Sequence, residues 1–223
     1  PPSPQPRSPS MRALYYAPGS AAIAPQAAME ELGLDYDLRL LDPETRAQKA
    51  PDYLALNPSG RIPTLVDGDL TLFETGAILL HLIETHPGAG LAPEGGRERA
   101  LFTQWLFHLC TTPQATFHEW FYPGRWAAGP ADEARVRAAG VAKLEADFAL
   151  LDAAVGGETS FLASGFSALD LHIAMLARWS RDMPRPMWAW PRLAPVIAAA
   201  AGRPAFRRTL ARQGIGWPAA FPV

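Results

Sequence analysis

Residues 57–65, NPSGRIPTL, constrain the architecture more than any other stretch of this chain. An X-Pro bond adopts the cis form at modest cost, and a proline entering a strand leaves its neighbour's backbone groups pointing outward. At Ile62-Pro63 those groups can pair with an extended peptide. The run then meets Asp67-Gly68-Asp69, a tight-hairpin signal between Thr64-Leu65-Val66 and Leu70-Thr71-Leu72-Phe73. Glu74-Thr75 follow where the strand pattern gives way to an apolar helical one. Free amides at such a helix start attract a carboxylate, the Thr75 hydroxyl can donate to it, and Glu74 can hold an ammonium group. One amino-acid head group satisfies all three. Taken singly, Pro63 also fits a strand-entry proline, and Glu74-Thr75 also fits a helix cap.

Upstream, Ala13-Leu14-Tyr15-Tyr16 reads as a strand stopping at the turn Ala17-Pro18-Gly19. Ser20, read as an N-cap, precedes Ile23, Ala27, Ala28, Met29 and Leu32 at helical spacing, with Gly33 as the stop. Residues 36–41 alternate as a second strand, which makes a βαβ unit with parallel neighbours. The hairpin and a helix over 74–86 complete a βαβ-ββα, thioredoxin-like order over residues 11–87. The Gly/Pro-rich stretch 88–96, PGAGLAPEGG with its flank, reads as a linker. Residues 97–223 show helical periodicity over 98–121, 131–155, 168–180 and 190–201 and no convincing strand. Pro113 is expected to kink the first of these near Leu109-Cys110. The fold class is therefore α/β followed by all-α. Ser167-Ala168-Leu169-Asp170 is a capping box ahead of an apolar run, with Phe166 as its hydrophobic staple, and its role is in folding.

The 223 residues, 48% of them hydrophobic, suffice for two cores. A net charge of −2 and a pI near 6.2 give no basic surface for nucleic acid and no polybasic membrane patch. Cys110 is the single cysteine, so no disulfide framework, C-x-x-C pair or cysteine zinc cluster is expected, and a reducing cytoplasm is the expected location. His108, His118 and His172 lack partners at metal-ligand spacing, so no metal is expected, and His81 reads as structural. The Pro/Ser-rich residues 1–10 have no apolar core and read as a disordered tail.

The order of turn, X-Pro strand, tight hairpin and Glu-Thr helix start resembles the glutathione-binding site of the glutathione S-transferase family. The Ser167–Asp170 cap and Gly202-Arg203-Pro204-Ala205-Phe206 extend the similarity from Tyr15 to about residue 210. Tyr15-Tyr16-Ala17-Pro18-Gly19-Ser20 is most similar to the bacterial beta class, with Ala21 where that class has its cysteine and Gln114 where many members have a histidine. The resemblance implies a cytoplasmic homodimer that uses glutathione as co-substrate and transfers it to a small hydrophobic electrophile. It implies that Ile62 and Pro63 pair with the cysteinyl backbone, that Glu74 and Thr75 clamp the γ-glutamyl group, and that Arg46 meets the glycyl carboxylate, with Arg61 and Lys49 as competitors. With no cysteine at position 21, Ser20 with the Ala21 and Ala22 amides is the candidate for stabilising thiolate, Tyr16 is second, and helix capping is the structural alternative for Ser20. Phe107, Cys110 and Thr111 share a helix face and are candidate substrate contacts, though such a stripe also fits a core and Cys110 fits a buried apolar thiol. Two other classes share the site: a glutathione-dependent disulfide reductase and a non-catalytic glutathione or hydrophobic-ligand-binding protein.

Overall fold

A computed structural model describes residues 11–221, so the expected tail over 1–10 lies outside the described residues. A four-stranded sheet in the order β2-β1-β3-β4 is built from β1 (Arg12–Tyr16), β2 (Asp37–Leu40), β3 (Thr64–Asp67) and β4 (Leu70–Phe73). β1 runs parallel to β2, with Leu14 opposite Leu38, and antiparallel to β3, with Leu14 opposite Leu65. Pairing of Asp67 with Leu70 narrows the turn expected at Asp67-Gly68-Asp69 to the two residues Gly68-Asp69, with Gly68 at φ 64°. Asp67 is held by Arg12 at 2.9 Å and by His81 at 3.1 Å, the structural role read for that histidine.

Helix α1 (Ile23–Glu31) crosses between β1 and β2, and every residue from Ile23 to Met29 is buried. A helix apolar on all sides belongs inside, and its alanines let neighbours approach closely. Pro25 lies in the first turn, where its missing N–H has no partner to lose. Gly33 stops the helix at φ 64°. Ser20 is not the N-cap. The helix starts two residues later, with Ala22 before it and no side-chain cap. Ser20 instead closes the preceding turn, its Oγ accepting from the amides of Ala17 (3.3 Å) and Ala22 (3.4 Å).

After α2 (Pro51–Leu56) and α3 (Thr75–Thr85) the chain is helical: α4 (Gly96–Thr111), α5 (Pro113–Phe121), α6 (Glu133–Ala154), α7 (Ala168–Trp179), α8 (Leu193–Gly202) and α9 (Pro204–Arg212). The expected bend near Leu109-Cys110 falls instead at Thr112, with φ −113° and ψ −83°. Pro113 begins α5 as its first residue, where its fixed φ suits a helix start and no amide is lost. α7 is buried on nearly every side, and α1 packs against α3, α7 and α9.

The capping box forms at the head of α7 with both of its halves present. Asp170 accepts from the Ser167 amide at 2.7 Å, and the Ser167 hydroxyl oxygen also accepts from the Leu169 amide at 3.3 Å. The second carboxylate oxygen takes the Phe161 amide at 2.7 Å and ties the 156–166 loop to the helix. Phe166 lies under the guanidinium of Arg203, 3.6 Å from its ring centre. Arg203 in turn pairs with Glu31 on α1 at 2.5 and 2.9 Å.

His172, two residues further along, is wholly buried, and burial pushes its imidazole down to about 3. Its folded value lies below its ordinary 6.5, so the unfolded chain binds the proton more tightly and stability falls as pH drops below 6.5. At pH 5 the loss is about 2 kcal/mol. Urea denaturation of wild type beside His172→Gln is expected to show wild type losing that much more than the variant between pH 7 and pH 5. The comparison cancels the opposite trend from Asp170, whose buried carboxyl is raised to about 6.

Candidate functional site

The loop from α2 to β3 is shaped by one buried side chain. The Asn57 amide donates to the Arg61 carbonyl (2.9 Å) and to Thr64 Oγ1 (3.0 Å), while its oxygen accepts from the Ser59 amide (3.1 Å) and hydroxyl (2.7 Å). Tyr53 reinforces the same two anchors, at 2.6 Å to the Arg61 carbonyl and 2.7 Å to Thr64 Oγ1. Neither residue was singled out from the sequence; an Asn before Pro-Ser-Gly, able to fold back on its own loop, was the available signal. Between these anchors the Ile62-Pro63 bond is cis. Pro63 is buried, and the backbone amide and carbonyl of Ile62 make no hydrogen bond among the described residues. The sheet edge is thus bare at the position where a peptide could pair.

Beside it, α3 begins without a side-chain cap. Glu74 precedes it at φ 76°, a region that side-chain-bearing residues occupy only when the surroundings impose it, and its side chain is exposed. Thr75 is 1% exposed. Gly76 touches the helical region: a Cβ there would come within 3.0 Å of Cys110 Sγ. Burial pushes the Cys110 thiol up to about 12, the opposite of what a nucleophilic cysteine needs.

Gln114, at the start of α5, spans the same junction. Its Nε2 donates to Thr75 Oγ1 at 3.3 Å, and its Oε1 lies 2.6 Å from His172 Nε2. The three expected substrate contacts do not form one wall. Cys110 faces α3, Phe107 is 59% exposed, and Thr111 is exposed with its hydroxyl returned to the Phe107 carbonyl at 2.8 Å. Spacing on a helix gave a shared face, and the packing of α4 on α3 spread that face between interior and surface.

The turn before α1 completes the region, and the helical part of the chain holds it in place. Gly19, at φ 76°, donates its amide to Gln213 Oε1 (3.0 Å) and receives the Trp179 indole N–H on its carbonyl (2.7 Å). Gln213 also donates to Gln26 inside α1 at 2.7 Å. Sequence reading missed Trp179 and Gln213, because their partners lie some 160 to 190 positions away. Ala21 is buried, as is Tyr16, whose hydroxyl has no hydrogen-bond partner among the described residues. The Ala22 amide is already used by Ser20, so it is not free for a thiolate as expected.

Of the three cations considered for a glycyl carboxylate, Arg46 is exposed with φ 55°. Lys49 donates to the Ser59 carbonyl at 3.2 Å. Arg61 is exposed, and its field reaches α5, where burial, together with the fields of Arg61 and Arg125, holds His118 below its usual value. Among the described residues no group of His, Cys, Asp and Glu has the arrangement to hold a metal ion, and no helix is long and apolar enough to cross a membrane.

Comparison with known proteins agrees with this geometry. The family described as Glutathione S-transferase, N-terminal domain, matches residues 11–84, which hold the whole sheet and the helix start at Thr75. Residues 11–84 are thus similar to a glutathione S-transferase N-terminal domain. Glutathione S-transferase GST-4.5 of Xanthomonas campestris pv. campestris is 28% identical over 168 residues, which are 75% of this chain and 81% of the relative. Among solved structures, a glutathione transferase homologue from Sulfitobacter with bound glutathione has a TM-score of 0.85 at 26% identity, covering 93% of this chain and 100% of that one. A bacterial beta class glutathione S-transferase from Sphingomonas chungbukensis has a TM-score of 0.79 at 28% identity, over 92% and 100%. The likeness thus extends past the transferase domain through the helices that follow it.

Asn57→Ala removes the four hydrogen bonds of a buried side chain and leaves the Arg61 carbonyl to Tyr53 alone. Chemical denaturation is expected to show a loss of about 3 kcal/mol.

Proposed function

We propose that this chain is a glutathione transferase that binds the tripeptide along the bare edge at Ile62, holds its γ-glutamyl end at the head of α3 and activates its thiol at the turn before α1. The observation that carries the reading is the hydrogen bonding of Ser20. Its oxygen accepts two amides, from Ala17 and Ala22, so both lone pairs are engaged and its proton remains for an outside acceptor. A thiolate placed there receives a hydrogen bond that the neutral thiol cannot use as well, which favours the charged form. A free thiol of pKa about 8.5 is only slightly ionised at neutral pH, so even one such bond changes the reactive fraction. Tyr16, enclosed in the core, is less suited to the task.

In this reading Ile62 supplies its backbone groups, Glu74 the ammonium contact, and Thr75 with the first amides of α3 the carboxylate contact. Arg46 and Arg61 are the cations that would meet the glycyl carboxylate. Residues 11–87 form the glutathione-binding domain and residues 97–223 a helical domain that closes the opposite side, joined through 88–96. The electrophile is a small hydrophobic molecule entering between them, and the protein acts as a cytoplasmic homodimer in detoxification. Cys110, half-buried and with its thiol raised, takes no part as a nucleophile, so the chemistry rests on glutathione's own sulfur. No observation favours the reductase or the binding-only reading over this one.

The test is an ultraviolet titration of bound glutathione. Wild type is expected to show thiolate well below the free thiol's pKa, and Ser20→Ala to move that value up by about one unit, the shift that a hydrogen bond to a charged group supports. Binding with an unperturbed thiol in wild type would remove the catalytic reading. Calorimetry of Glu74→Ala is expected to show roughly tenfold weaker glutathione binding with unchanged thermal stability.

A further inference from the structure

We propose that His172, buried beyond the reach of any ligand, is a positioning residue that polarises the chain His172–Gln114–Thr75 so that the Thr75 proton and a Gln114 N–H are left for a bound carboxylate at the head of α3. The inference deepens the glutathione reading and rests on it for the identity of the ligand.

The argument starts from an orphan atom. His172 Nε2 faces Gln114 Oε1 at 2.6 Å, while its Nδ1 is buried and has no partner among the described residues. The ring is neutral, because nothing around it offsets the cost of burying its charge, so it has one N–H and one bare nitrogen. Two arrangements of the chain are possible. In one, Nε2 carries the proton, donates to the Gln114 oxygen, and leaves Nδ1 as an unmet acceptor. In the other, the Gln114 amide is turned round, Nε2 accepts from it, and Nδ1 becomes a buried N–H with nothing to donate to. Orphaned buried N–H groups are rare and costly, and under-satisfied acceptors are better tolerated. The first arrangement therefore holds.

Its consequences run outward to the site. With the Gln114 oxygen pinned by His172, the Gln114 NH2 group faces α3 and spends one hydrogen on Thr75 Oγ1 at 3.3 Å. The second hydrogen remains, on a side chain only partly buried. Thr75 Oγ1 accepts from Gln114 and has no other partner among the described residues, so its own proton lacks an acceptor. Both leftover groups are donors, and they sit beside the uncapped amides of α3, which are donors as well. A carboxylate oxygen closing on this point accepts from all of them. In the opposite polarity the Thr75 proton would be consumed by the Gln114 oxygen and the Gln114 N–H by His172, so neither side-chain donor would remain for an anion.

The first test needs no ligand. Nitrogen-15 correlation spectra of the histidine rings are expected to show His172 as the neutral Nε2–H tautomer, and the Nδ1–H tautomer would overturn the proposal. The second compares binding of glutathione with that of 4-aminobutanoyl-cysteinyl-glycine, which lacks the γ-glutamyl α-carboxylate, by calorimetry on wild type, His172→Phe and His172→Gln. Wild type is expected to prefer glutathione, His172→Phe to lose roughly tenfold of that preference, and His172→Gln, which can present an N–H at the Nε2 position, to retain most of it. Equal weakening of both ligands in His172→Phe would mean a merely structural role and would sink the inference. If His172→Phe does not fold, Gln114→Leu serves in its place with the same expected loss. Wild type with the Nε2–H tautomer but no affinity for glutathione would defeat the functional reading and, with it, the ligand assigned to this chain.

Discussion

The molecule is organised around a helix with no solvent face. Every residue of α1 from Ile23 to Met29 is buried, with α3, α7 and α9 packed against it. A helix enclosed in this way fixes the turn that leads into it. It also needs an internal partner for its buried polar residue, Gln26, which Gln213 provides at 2.7 Å. The same Gln213 takes the Gly19 amide, and Trp179 takes the Gly19 carbonyl. The turn bearing Ser20 is therefore held from the helical side as firmly as from its own strand. Beyond the buried end of α1, Glu30 and Glu31 meet Arg208, Arg212 and Arg203 of the last helix and its approach, so charge fixes the end that packing leaves open.

The candidate site inherits this dependence. Its sheet edge is set locally, by Asn57 and Tyr53 folding the loop onto Arg61 and Thr64. Its other pole, the head of α3, is not local. The head of α3 meets α4 through the contact of Cys110 with Gly76 and meets α5 through Gln114, and Gln114 is oriented by a histidine in the middle of α7. A side chain at Gly76 would come within 3.0 Å of Cys110 Sγ, so the room at this glycine is set by an element that begins twenty positions later. In the proposed function, the helical region thus orders the thiol end and the carboxylate end of one ligand from behind, while the sheet supplies the backbone that lies along it.

Features whose physics is confined to a few neighbouring residues were legible in the sequence. The Gly68 turn, the stop at Gly33, the Ser167–Asp170 box and the special backbone at Ile62-Pro63 follow from local conformational preference. The order of strands and helices followed from hydrophobic periodicity. Local rules misled where two of them competed. Ser20 satisfied the composition of an N-cap but was drawn into the tighter turn closed by Ala17. Pro113 was read as an interruption within a helix, whereas a fresh helix began at it, the position where proline costs least.

By itself, then, the sequence determined the architecture and the bare peptide edge, because both depend on backbone preferences and on periodic burial that operate over a few residues. Only the tertiary structure decided which side chains stand behind the site. Trp179 and Gln213 reach Gly19, and His172 and Gln114 reach Thr75, across separations at which no local pattern survives. The physical reason is that a buried polar group must find its partner wherever the packed core places one, and that place is known only once the helices are docked.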